Sequence, residues 1–600
     1  MPATGTPWTP RLALSALVAA LAMPAAAAAQ TPAGPTPADP TPFVERIDVN
    51  VVNVEVFVVD RKGRRVTGLT RDDFELLHDG APVPISNFFA TTRRDRVLSS
   101  VPGVPESDPE VLATKDLPAD QQLNFLIYVD HFNILPQNRS RVLAQLGGFL
   151  EDRAYQGDNV MIVGFDGDLD VVQPFTRDYR AIQGAVRKLD DPVGGRVRQD
   201  RELLQAMRQM QVIAAAVGGE DIQTQLGGMA QAYDVVRTYV QSVRMDLERS
   251  AKALESMIRS LSGLPGRKAI LYVSDGLLQR PGEVLYQFLI DEFGTQLANT
   301  ATISGEMPDP YLEIAQEDET HLYNSIGRQA NAEQITLYTL SAAGADAHMH
   351  VSPDGFGLGR GAGGTRALAA LHEQSLQEPL LALAESTGGT AIVNTANFDD
   401  ALASMGEDFD SFYSLGFQVP EGATGEYHEI EVRVKGHPEL AARHREGYRD
   451  KPDLERIGDR TYASLLFGME KNPLNVSVDF GKPERKGKRR YHLPLLVRIP
   501  VSQITLLPQG ARQTGMLRIF LIVKDESGMS ELRSFPYEFS MTSAQLAEAR
   551  GQDIGYGAVL ELEPGVPNVA VGVYDEIGGG ESFVHKQVIV DETGRRRGRR

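Results

Sequence analysis

Two kinds of apolar run divide the chain. The first kind is nearly continuous and closes on a carboxylate: Leu123–Asp130 (LNFLIYVD) and Lys268–Gly276 (KAILYVSDG). Asn159–Phe165 (NVMIVGF), Gln334–Leu340 and Thr390–Asn394 share its buried character, and Asp170–Gln173 reads as a short edge strand. Between these runs, apolar residues recur at helical spacing over 137–152, near 178–189 and over 366–386. Strands apolar on both faces and alternating with helices predict a doubly wound, mainly parallel α/β sheet. Ligands of such sheets bind at the carboxyl ends of the strands. That rule singles out Asp130 and Asp275.

The interval 199–262 is too long for an ordinary α/β connection. Residues 200–217 have helical spacing and 218–228 are glycine-rich. From Met229 the positions Val236, Val240, Val243, Leu247, Leu254, Ile258 and Leu261 predict one long helix that stops before Pro265. This is a long helical insertion, with 200–228 as a projecting hairpin and Gly-rich bend. A second, acidic insertion lies around 295–320.

The second kind of run alternates. Val49–Val59, Phe74–Leu77 and a strand ending at Phe89, separated by the turns at Asp60–Gly63 and His78–Gly80, predict a small β domain over 43–92. YHEIEVRV (427–434) predicts a β extension over 421–455, and the runs after 475 predict a C-terminal β-sandwich over 456–592. The α/β domain then spans 121–420, after a linker at 93–120. Residues 593–600 form a basic tail.

Composition changes this picture at three points. Residues 1–29 carry one charge, Arg11, then an apolar stretch and the small residues Ala27–Ala29, the pattern of a secretion signal. The apolar stretch is about 12 residues, short of the ~20 a membrane span needs. The Pro/Thr-rich segment 30–42 reads as a disordered leader. An exported protein, periplasmic or extracellular and without a transmembrane anchor, is expected. There is no cysteine, which excludes disulfides, thiol nucleophiles and Cys-based metal sites. A net charge of −20 argues against a nucleic-acid partner.

Candidate chemistry is sparse. No Gly-x-Ser-x-Gly or His-Glu-x-x-His motif occurs. Asp346, His348 and His350, and the alternating glycines 355–363, read as surface loop. Asp130 and Asp275 are the candidate metal ligands, for Mg²⁺ or Ca²⁺ through oxygen. The positions two and four beyond Asp130, however, are Phe132 and Ile134, and His131 and Asn133 are expected to point elsewhere.

VNVEVFVVDRKGRRVTGLTRDDFELLHDG (52–80), LNFLIYVD, GRKAILYVSDGL (266–277) and LAESTGGTAIVNTANFDDALASMGEDFDSFYSLGF (383–417) together resemble the secreted, von Willebrand factor A-related family found largely in acidobacteria. The resemblance covers about 43–449. It implies an A-like α/β fold and a protein-binding role. A-domains often hold a divalent metal with an Asp-x-Ser-x-Ser loop, a distant Thr and a second Asp. Asp130 and Asp275 match the two aspartates, Phe132 and Ile134 replace the serines, and Gly194–Val197 contains no threonine. A degenerate site follows. No cofactor is expected, and Mg²⁺ or Ca²⁺ is expected to bind weakly at most.

The expected function is a non-enzymatic protein-interaction module with a protein partner. The alternatives are a carboxylate-dependent hydrolase at the strand ends and a purely structural cell-envelope component. A hydrolase requires a deep pocket with at least two perturbed acids.

Overall fold

The computed structural model describes residues 50–92, 122–155, 157–190, 195–217, 221–301, 308–344, 362–419, 424–487, 490–549 and 551–590. The secretion signal, the leader, the linker 93–120, Asp346, His348 and His350, the glycines 355–361 and the basic tail lie outside them. The chain divides into two compact units, with 49–450 almost wholly in one and 451 onward in the other.

In the first unit, β1 (Asn50–Val59), β2 (Phe74–His78), β3 (Ala81–Val83) and β4 (Asn87–Thr92) precede β5 (Leu123–Asp130). Then come α1 (Pro136–Tyr155), β6 (Asn159–Phe165), β7 (Leu169–Thr176), α2 (Tyr179–Lys188), α3 (Arg196–Val217), α4 (Ile222–Ser260) and β8 (Arg267–Ser274). The helices α5 (Glu283–Ala301), α6 (Pro310–Gln316) and α7 (Thr320–Ala332) lead to β9 (Ile335–Ser341), α8 (Ala362–Ser386), β10 (Ala391–Ile392) and α9 (Phe398–Asp410). The unit closes with β11 (Ser411–Val419), β12 (Tyr427–Val434), β13 (Ala441–Arg443) and β14 (Gly447–Arg449).

The central sheet has the order β10-β9-β8-β5-β6-β7 and is parallel except for the β6–β7 pair. The chain enters at β5, builds outward through β6 and β7, then returns to build the other side from β8. The order therefore reverses between β5 and β8, where a doubly wound sheet opens its crevice. All eight residues of β5 are buried. Phe125, Ile127 and Val129 pack in one core with Leu143 and Leu146 of α1, Ile182 of α2, and Leu402 and Phe409 of α9. On the opposite face Leu126, Tyr128, Ile270 and Tyr272 are buried too, and α7 and α8 pack on β9.

The helical insertion differs from its expected form. Helix α4 runs for 39 residues and begins before Gly227 and Gly228, so the glycines lie inside it rather than at a bend. A Cβ at Gly228 would stand 2.5 Å from Val217 Cγ1, so glycine lets α3 approach α4. Nor does the hairpin project. Helices α3 and α4 pack on each other and on α5, and Val236, Val243, Leu247, Leu254 and Ile258 are buried. The acidic insertion around 295–320 contains the end of α5 and all of α6.

The stretch 43–92 was expected to stand alone, but its strands find their partners elsewhere. Strand β1 pairs antiparallel with β11 and β13, β4 pairs with β11, and β2 pairs with β12. The expected β extension at 421–455 supplies half of these partners. Together with β11 the two segments bury one shared core that includes Val54, Val56, Phe74, Leu415, Phe417, Ile430 and Val432. Buried Asp408 of α9 ties this core to the central sheet. It accepts both Arg443 Nη2 contacts at 2.9 Å, pairs with Arg65, and takes a hydrogen bond from the Tyr338 hydroxyl of β9 at 3.2 Å.

In the second unit, α10 (Asp453–Phe467) ends on Gly468, whose φ of 65° closes the helix in the left-handed region. It is followed by β15 (Ser477–Phe480), β16 (Glu484–Arg485), β17 (Tyr491–Pro500), β18 (Leu507–Gln509), β19 (Arg512–Asp525), β20 (Gly528–Met529) and β21 (Arg533–Thr542). Helix α11 (Ser543–Ala549) and strands β22 (Asp553–Leu562), β23 (Asn568–Asp575) and β24 (Glu581–Gln587) complete it. Two antiparallel sheets form, one around β17 and one around β19. They share a core of Leu493, Leu495, Val497, Leu517, Ile519, Leu521, Val571 and Val573. The intervening residues of the β19 sheet, Phe520, Ile522, Ala570 and Tyr574, meet Ile457 and Leu465 of α10. That helix was not foreseen in the sequence.

Candidate functional site

Both aspartates occupy the crevice position. Asp130 is the last residue of β5, and Asp275 follows the last residue of β8, its neighbour in the sheet. Their surroundings turn them inward.

Asp130 caps the short turn His131–Asn133. Its Oδ1 accepts the N–H groups of Phe132 and Asn133, each at 3.1 Å. Its Oδ2 accepts the Asn133 side-chain amide at 2.8 Å and the Tyr272 hydroxyl. A carboxylate offers about four lone-pair positions, and here four donors fill them. Burial pushes the Asp130 carboxyl up to about 6, against the pull of these hydrogen bonds. Burial and the adjacent Asp130 charge also hold the Tyr272 phenol well above its ordinary range.

Asn133 corrects the expectation that it points away. Its amide also donates to Ser250 Oγ of α4 at 2.9 Å, and its carbonyl accepts the Asp275 N–H at 2.9 Å. One residue thus joins the two aspartate loops and the long helix. His131 does turn away from the carboxylate, toward Gly164 of β6, where a Cβ would meet its Nε2 at 2.9 Å. Burial and nearby Arg139 lower this imidazole to about 4.

Asp275 is buried by a second route. Its Oδ2 accepts the Leu135 N–H at 2.7 Å and its Oδ1 the Asn138 amide at 2.9 Å, both from the start of α1. Burial raises its carboxyl to about 6, and the Arg196 charge opposes that rise. Arg196, in the glycine-flanked segment that lacks threonine, is itself buried. It pairs with Asp200 at 3.0 Å and donates through Nη2 to His372 Nε2 at 3.1 Å. A guanidinium can only donate, so this His372 nitrogen accepts. Burial, then Arg196, lowers His372 to about 3.

Asn138, Arg196, Asp200, Asp275, Ser341 and His372 line a cavity of about 40 Å³, with the Ser341 hydroxyl buried and unpartnered. That is room for water and little more.

Phe132 and Ile134 pack rather than ligate. Ile134 is fully buried in the core beneath α1. The Phe132 ring sits against Gly195, where a Cβ would come within 2.8 Å, and beneath the guanidinium groups of Arg198 and Arg249 at 5.7 and 5.8 Å. The donor set therefore does not suit an oxygen-loving dication. Asp130 has no free lone pair, the neighbouring positions are hydrocarbon, and Arg196 already brings a positive charge to the cavity of Asp275.

No family model matches the chain. No curated protein matches it either. Among solved structures, it is similar to an aerotolerance-related membrane protein from Bacteroides fragilis, with 12% identity and a TM-score of 0.23 over 48% of this chain and 98% of that one. The pilus adhesin SpaC from Lactobacillus rhamnosus GG gives 9% identity and 0.22, over 78% of this chain and 52% of SpaC. The type V pili tip protein Mfa5 from Porphyromonas gingivalis gives 9% and 0.20, over 84% and 76%. Likenesses this slight say nothing about what this chain does.

A larger opening lies between α3 and α4. This groove of about 490 Å³ is lined by Glu202, Gln209, Asp234, Thr238, Tyr239 and Ser242 among others. No helix among the described residues is long and apolar enough to cross a membrane.

Proposed function

We propose that the chain is an exported, non-enzymatic interaction module, built on a von Willebrand factor A-like domain and flanked by a C-terminal β-sandwich. Its strand-end carboxylates join loops instead of holding a metal. The observation that carries this reading is the saturation of Asp130 by four internal donors. A metal-dependent adhesion site needs that oxygen free. The partner surface is then the α3–α4 groove, whose acids, amides and hydroxyls suit a polar, basic segment of a protein. Export rests on the pattern of residues 1–29.

The hydrolase alternative has two acids raised by burial, but of the two only Asp275 lines the cavity of about 40 Å³, while Asp130 is enclosed by its own donors. The structural-component alternative needs no groove at all.

Crosslinking capture from the exported fraction tests the proposal, using full-length protein with a photoreactive residue at position 238. One partner should be captured, lost on Gln209→Arg, and kept in Asp275→Asn with or without added Mg²⁺. Capture that requires Mg²⁺ and Asp275 would move the interface to the strand ends and overturn the reading. N-terminal sequencing of the exported protein should begin near Ala29 or Gln30, and a retained Met1 would refute export.

A further inference from the structure

A second polar constellation lies away from the strand ends, on the sheet formed by β2, β3, β12 and β14. Strand β2 ends at His78, and Asp79 opens the tight turn into β3 with a φ of 50°. Because His78 pairs with Ile430, His428 lies two residues along β12 on the same face. Asp79 is pinned to β12 at two points. Its N–H donates to the Glu429 carbonyl at 3.0 Å, and its Oδ1 accepts the Glu429 N–H at 2.9 Å. This leaves Oδ2 facing the imidazoles, 2.9 Å from His428 Nδ1 and 3.7 Å from His78 Nε2.

Aromatic neighbours fix the two rings. Tyr448 stacks on His428 with centroids 5.3 Å apart, and Phe417 packs against His78 at 5.4 Å. The Tyr448 hydroxyl lies 3.1 Å from His78 Nε2.

We propose that His78 Nε2, Asp79 Oδ2 and His428 Nδ1 form a binding site for a borderline divalent transition metal of the Zn²⁺ class. The three atoms lie within 4.8 Å of one another. Tetrahedral Zn²⁺ with bonds of about 2.0–2.1 Å sets its ligands roughly 3.3 Å apart. The observed 2.9 and 3.7 Å from Asp79 Oδ2 to the two imidazole nitrogens bracket that spacing. Two imidazoles and one carboxylate select zinc-like ions over Mg²⁺ or Ca²⁺, which want oxygen alone. The side chains are 18%, 49% and 25% exposed for His78, Asp79 and His428, so water and a small ion reach the cluster. Bound metal would clamp the β2–β3 turn onto β12, a strand almost 350 residues away in sequence.

Full-length protein stripped with a chelator and dialysed tests this by calorimetric titration with ZnCl₂, with thermal melts in parallel. The expected result is one equivalent bound at micromolar Kd or tighter, with a rise in Tm. Asp79→Asn and His428→Gln should each weaken binding at least tenfold, whereas the double variant His348→Gln/His350→Gln leaves it within twofold. Asparagine tolerates the left-handed turn position, so Asp79→Asn reports on the site even if the histidine variant fails to fold. Three results would overturn the proposal: no saturable binding below about 1 mM, binding unchanged by Asp79→Asn, or equal affinity for MgCl₂.

Discussion

The carboxylates at the two polar sites make opposite use of the same group. Asp130 and Asp275 stand at the mouth of the central sheet, yet burial raises both to about 6, and peptide and amide donors occupy them. Asp79 stands half-exposed on a turn, and hydrogen bonding by His428 holds its carboxyl below the ordinary range. The first pair is architecture and the second is available as a ligand. Position in the fold does not decide which. The number of donors already satisfied and the access of water do.

The harshest way to break this contrast is to restore oxygen at the strand ends. Phe132→Ser combined with Ile134→Ser removes two buried apolar side chains and should cost about 5 kcal/mol or more in urea unfolding, with no stoichiometric Mg²⁺ gained. A stable variant with micromolar Mg²⁺ affinity would restore the metal-site reading.

Asp130→Ala should cost about 3 kcal/mol. Four orphaned donors at about 1.5 kcal/mol each come to roughly 6 kcal/mol, which outweighs the roughly 3 kcal/mol recovered by removing a carboxyl raised from 3.8 to about 6. Unfolding within 1 kcal/mol of the parent would mean that the network is dispensable.

A third test separates the sites by the sign of their pH dependence. Asp275 rises from 3.8 unfolded to about 6 folded, so between those values the native state holds a proton that the unfolded state has released. Stability relative to Asp275→Asn should therefore fall as pH rises from about 4 to 6, by on the order of 3 kcal/mol, and stay level above. Asp79 is lowered, so its contribution runs the other way: present above 3.8 and lost as pH falls through its folded value. Parallel slopes for the two variants would erase the distinction.

The smallest effect is expected at the turn itself. Without metal, Asp79→Asn should stay within about 0.5 kcal/mol of the parent, because asparagine keeps the oxygen that accepts the Glu429 N–H and tolerates the backbone.

Strands β5, β6, β8 and β9 were legible because continuous apolar runs ending in turn residues have few other readings. Gly227 and Gly228 misled, since glycine lowers helix propensity and only the contact with Val217 explains why one belongs inside α4. Asn133 was misplaced although a signal existed. Asp is a strong N-cap residue, and a capping carboxylate takes the N–H groups two and three residues on, which draws Asn133 to Asp130. The cluster of His78, Asp79 and His428 had no such signal, for the register of β2 against β12 is a pairing across the whole α/β domain.

By itself, then, the sequence determined what is local and periodic: which segments are strands or helices, which faces are apolar, and that Asp130 and Asp275 end buried strands. Tertiary structure alone decided which strands pair, that 43–92 joins 411–449 rather than standing apart, and whether each acid meets donors or water. The physical reason is that alternation encodes the face of a strand but not its neighbour. A carboxylate's chemistry likewise depends on groups brought to it from distant parts of the chain.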